Sequence, residues 1–126
     1  MDILANTEPK KPRVFIVQDQ FKRHPENNSL VSKFDFREAE KFGEISFLLK
    51  PNANPFSPNV GVVAELTDKL HDFSDRDFLL LTGNPILIGW ATAIAARMNE
   101  GRVRMLQWNG RRQCYLEVRG KLFQFV

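Results

Sequence analysis

Six cations crowd residues 101–126 of this chain: Arg102, Arg104, Arg111, Arg112, Arg119 and Lys121, against one acid, Glu117. Trp108 and Tyr115 lie among them. An arginine fork matches phosphate oxygens, and an aromatic face accepts a stacked base. On strict strand alternation Arg102, Arg104, Leu106 and Trp108 share one face, and Val103, Met105 and Gln107 the other. Two arginines and a tryptophan then lie in a row, a pattern suited to nucleic acid. It also suits the solvated face of an edge hairpin, where charge deters aggregation. Trp108 beside Leu106 also fits a core or interface position. Lys10, Lys11 and Arg13 would extend the patch if the first strand lies nearby.

A second candidate is the turn Thr82-Gly83-Asn84-Pro85. It follows a strand and opens a helix, the position where open α/β sheets bind ligands. Free N–H groups at a helix start attract anions. There is no G-x-x-x-x-G-K-[ST] and no G-x-G-x-x-G. The plain alternative is that Gly83 makes the turn and Asn84 caps the helix.

Catalytic chemistry finds little footing. His24 and His71 stand apart in sequence and look exposed, and no His/Cys/Asp/Glu cluster has metal-ligand spacing. Cys114 is most simply a small buried hydrophobe. Asp72, Asp75 and Asp77 could meet a cation, but read first as an acidic polar connection. No nucleophile pairs with a base. No catalytic residue, metal or cofactor is expected.

These residues need elements to hold them. Val14-Phe15-Ile16-Val17 predicts a buried strand. Residues 21–42 read as a long loop with scattered Phe residues, which allows either a brief extended piece where Phe34 and Phe36 alternate with Asp35 and Arg37, or instead one helical turn at 37–41. Ile45-Ser46-Phe47-Leu48-Leu49 predicts a second strand. Ser57-Pro58 marks a helix start, with Val60, Val63, Thr67 and Leu70 on one face and Leu66 beside them. Phe78-Leu79-Leu80-Leu81 predicts a third strand. From Ile86 to Asn99 runs a helix that is apolar on most sides, which demands burial against the sheet, with a second subunit as a further candidate to cover it. Gly89 within it suggests close packing. Gly101 ends it. Asn109-Gly110 then joins two strand-like runs in a hairpin. Gly120 allows a further turn, and residues 122–126 a last edge strand.

The expectation is therefore an α/β fold. It is a small single-domain mixed sheet with a β-α-β-α-β core, two main helices and a C-terminal antiparallel hairpin. Residues 1–12 read as a flexible tail and 13–126 as one domain.

Of 126 residues 43% are apolar, enough for a core, and eleven Phe against one Tyr point to packing. No apolar run reaches a membrane span. The N-terminus lacks the pattern of a secretory signal. With one cysteine, a reducing cytoplasm is the expected compartment. The net charge of +3 is concentrated at the C-terminal end.

The blocks Phe42-Gly43-Glu44, Phe47-Leu48-Leu49, Leu79-Leu80-Leu81-Thr82-Gly83-Asn84-Pro85, Ile88-Gly89, residues 91–96, Gly101-Arg102-Val103 and Leu106-Gln107-Trp108 resemble a small uncharacterised protein family of tailed bacteriophages. The resemblance covers residues 42–118. In that family the turn is more typically Gly-Asp-Pro; Asn84 still caps a helix, but weakens any carboxylate role there. The resemblance implies a phage origin and a role inside the infected cell, and brings no catalytic residues. Expected partners are nucleic acid through the hairpin, a host or phage protein, and further copies of the chain, without a membrane.

Overall fold

A computed structural model describes residues 10–56 and 60–124 of the chain. Ser57 and Pro58, most of the expected tail, and Phe125-Val126 lie outside the described residues. The main sheet is built from β1 (Arg13–Gln18), β4 (Glu44–Leu49), β5 (Phe78–Leu80), β6 (Arg102–Asn109) and β7 (Cys114–Lys121). Its spatial order is β4-β1-β5-β6-β7. All neighbours are parallel except β6 and β7. Counted along the chain, the order is second, first, third, fourth, fifth, as in doubly wound α/β sheets, with the switch point between β1 and β5. The α/β class and the β-α-β-α-β core stand as expected.

β1 is central and parallel, so it is covered on both faces and its run from Val14 to Val17 is buried throughout. Phe15 and Val17 point to one core and Val14 and Ile16 to the other. The first core is roofed by α1 (Val60–Leu70) and α2 (Pro85–Met98). The second is covered by a short 3-10 helix at Arg37–Lys41 with Phe36, Phe42 and Ala39.

Several expectations change. Residues 21–42 are not all loop: β2 (Phe21–Arg23) and β3 (Leu30–Ser32) form a small antiparallel pair. Three-residue strands are too short to show a period in sequence. The buried stripe of α1 is Val62, Leu66 and Leu70, while Val63 and Thr67 are exposed. Two leucines set the helix rotation, and Thr67 Oγ1 instead donates to the Val63 carbonyl at 2.9 Å. α2 buries Leu87, Ala91, Ala95 and Ala96 but leaves Ile86, Gly89, Trp90, Ala93 and Arg97 exposed. Gly89 is not a packing glycine, because a Cβ there would meet nothing within 4 Å. Cys114 is half-buried, on an edge strand. β7 runs straight through Gly120, which pairs with Val103, and residues 122–124 are not strand. Instead Leu122 N donates to the Gly101 carbonyl at 2.7 Å, tying the end of β7 to the start of β6.

Candidate functional site

β6 and β7 pair from Arg102↔Lys121 to Asn109↔Cys114. The connection is the four-residue turn 110–113, longer than the expected Asn109-Gly110 turn. Asn109 Oδ1 accepts from Arg112 N at 2.9 Å, and Gln113 takes the left-handed conformation, φ 55°. Gly110 is not at positive φ, which the tight two-residue turn requires. Arg111 and Arg112 therefore sit at the hairpin tip. Arg102, Arg104, Arg119 and Lys121 sit at its base, about 20–27 Å away along eight residues of strand. The six cations form two groups, not one.

At the base, Arg102 faces Lys121 and Arg104 faces Arg119 across the ladder. The 3-10 helix does not reach this corner, and a groove of about 490 Å³ opens there, lined by these four side chains and Asp75. Like charges directly opposite repel, and acids answer them. Arg102 Nε donates to Asp75 at 3.0 Å and pairs with Glu100 at 3.4 Å. Arg104 donates to Glu117 at 3.0 Å and to the Asp75 carbonyl at 2.7 Å, and its guanidinium lies 4.1 Å over the Phe78 ring. Arg119 also pairs with Glu117. Hydrogen bonds from Arg104 and then Arg119 hold the Glu117 carboxyl below its ordinary range. Those from Arg102 and then Asn99 do the same for Asp75. Among the described residues Lys121, Arg111 and Arg112 have no ion pair.

Arg102, Arg104, Leu106 and Trp108 do share a face, but the row is interrupted, because Leu106 is fully buried. Trp108 packs edge-on against Tyr115, centroids 5.0 Å apart, and stays 40% exposed. Beside it opens a second cavity of about 410 Å³ with Phe34, Lys33 and Asp35 on its walls. Burial, and then the Asp35 charge, raise the pKa of the Tyr115 hydroxyl, which donates to the Asp35 carbonyl at 3.3 Å. In the sequence Asp75 reads only as part of an acidic connection, and Glu117 only as the lone acid among the cations; the fold sets both against arginines. Phe34 reads only as part of the long loop, and the fold brings it beside Trp108.

Arg13 does not extend the patch. Its guanidinium donates to both oxygens of Asp77, at 3.1 and 2.9 Å, and to Asp72. Asp77 is fully buried and also accepts from Ser74 N at 3.0 Å. The acids ahead of β5 are thus spent on arginines, and no metal-binding group occurs among the described residues.

The turn at 82–84 closes on itself. Gly83 has φ 125°. Asn84 Oδ1 caps α2 by accepting from Ile86 N at 2.8 Å, and Asn84 N donates to Gln18 Oε1 at 3.0 Å. Pro85 has no donor. Gln18 thus fills the switch-point crevice and takes up one of the donors an anion would need. Thr82 is buried there, its hydroxyl without a partner among the described residues.

No helix among the described residues is long and apolar enough to cross a membrane. Residues 12–122 match the family model described as Phage Pam3 gp32-like protein, and the chain belongs to that family. No curated protein and no solved structure matches it.

Proposed function

We propose that this phage-family protein is a non-enzymatic binding module of the infected host cell, and that its ligand is nucleic acid held at the base of the β6-β7 hairpin. The observation that carries the reading is the uncovered corner where Arg102, Arg104, Arg119 and Lys121 converge on one groove. Their carboxylate partners are no obstacle. The Arg102 ion pairs and the Arg119 one involve exposed guanidinium groups and contribute only about 0–1 kcal/mol, and a phosphate offers those forks a bidentate site. Trp108 stands farther along the same face as a stacking surface, with Arg111 and Arg112 beyond it at the tip.

Fluorescence anisotropy with labelled single- and double-stranded oligonucleotides tests this. Binding should fall steeply with salt. It should weaken about tenfold or more when Arg104, Arg119 and Lys121 are all replaced by Ala, while circular dichroism stays unchanged. Equal binding by that variant, or no binding at low salt, sinks the reading.

A second reading, an interaction protein, draws on the α2 stripe of Ile86, Gly89, Trp90 and Ala93. It predicts a salt-insensitive complex with another protein that Trp90→Glu abolishes.

A further inference from the structure

The two edges of the main sheet are treated differently. β4, at one edge, is guarded: Lys69 Nζ of α1 donates to the Leu48 carbonyl at 2.8 Å, and Phe36 packs edge-on against Phe47. β7, at the other, is eight residues long, holds an unbroken register with β6, and contains no proline or bulge. Its outer edge makes no backbone hydrogen bond among the described residues. Val118 is 51% exposed beside it. A long, straight, unpaired edge is a template for another strand.

We propose that this strand is a second β7: two copies pair antiparallel about a two-fold axis at Val118, joining their sheets into one of ten strands. The charge pattern selects that register. Residues directly opposite in an antiparallel pair point to the same face. In a two-fold pair the axis therefore passes through a residue. Centring it on Glu117 or on Arg119 sets like charges against each other. Centring it on Leu116 leaves Arg119, Gly120 and Lys121 unpaired within the strand. Centring it on Val118 sets Glu117 against Arg119 of the second copy, twice over. It also sets Tyr115 against Lys121 of the second copy and Val118 against its own equivalent. The interface is modest, so monomer and dimer exchange with concentration.

Sedimentation equilibrium tests it directly. The chain should pass from 14.6 kDa to twice that mass as concentration rises. Val118→Lys should be monomeric throughout. Glu117→Arg and Arg119→Glu should each weaken the dimer about tenfold or more, and the double swap should restore it. The swap keeps the fold, because a carboxylate at 119 directly faces Arg104; circular dichroism verifies this. Val118→Cys in a Cys114→Ser background should form an interchain disulfide on mild oxidation, since opposed Cα atoms lie about 4.5–5.5 Å apart. Thr67→Cys in the same background, exposed on α1, should not. A wild type monomeric at every concentration overturns the proposal. So does a dimer that survives Val118→Lys and both single reversals, or one the double swap fails to restore.

Discussion

Gln18 lies directly beneath Gly83. A Cβ at position 83 would stand 2.7 Å from the Gln18 Cβ, and the backbone there holds φ 125°. Gln18 Nε2 donates to the carbonyls of Lys50, Pro51 and Ala53, at 3.1, 3.1 and 2.7 Å, while its Oε1 takes the Asn84 N–H. One buried amide thus ties the end of β1 to the β4-α1 loop and to the start of α2.

Gln18→Ala should destabilise the protein by about 2–3 kcal/mol, because three loop carbonyls and the Asn84 N–H lose the buried Gln18 amide as their partner. Gln18→Glu should cost more, since a carboxylate would face three acceptors. Urea denaturation measures both, and an unchanged midpoint for the alanine variant rules out the tie.

Two glycines should respond in opposite directions. Gly83→Ala adds strain and a clash, costing on the order of 2 kcal/mol. Gly89→Ala faces open space in a helix and should stabilise by about 0.5–1 kcal/mol. Paired thermal melts decide it. Equal shifts would contradict this account of the two sites.

Asp77→Ala should cost about 3–5 kcal/mol, for it strips Arg13 of its buried partner. The double change Arg13→Met with Asp77→Leu should recover part of that loss, because it removes both charges of the pair; Asp72 and Arg76 each still lose one partner, so the recovery is incomplete. A double mutant cycle giving no coupling would remove Arg13–Asp77 as a structural pair.

Stability should fall in acid. Arg104 and Arg119 depress the folded pKa of Glu117, and Arg102 and Asn99 that of Asp75. Asp72 is also lowered: burial, the largest single influence, raises it, but the Arg13 hydrogen bond and charge, with smaller help from His71, together outweigh it. A depressed carboxylate stabilises the fold above its unfolded pKa, near pH 4, and that contribution is lost as pH falls through the folded value. The melting temperature should thus drop below about pH 4. The double change Arg104→Met with Glu117→Gln should flatten part of that slope; an identical pH profile would show the pair to be silent.

The strands β1, β4 and β5, the helix α2 and its Asn84 cap were legible because each is a local pattern. These are a short apolar run, a turn pair before a helix, and a cap two residues from the N–H it binds. The alternation on β6 was legible for the same reason. Other features depended on distant partners. Val62 rather than Val63 faces the core because the sheet lies on that side of α1. Gly89 was misread because the bare sequence does not say which side of α2 has a neighbour.

The sequence by itself determined the α/β class, the parallel core and a C-terminal region rich in arginine, since composition and period carry those. Tertiary structure alone decided which arginines act together. The length of the hairpin turn fixed the register, and the register set Arg104 against Arg119 with Glu117 beside them and sent Arg111 and Arg112 to the far end. It also decided that Arg13 belongs to Asp77, 64 residues away. Ion pairs depend on distance in space, and only the folded backbone supplies that distance.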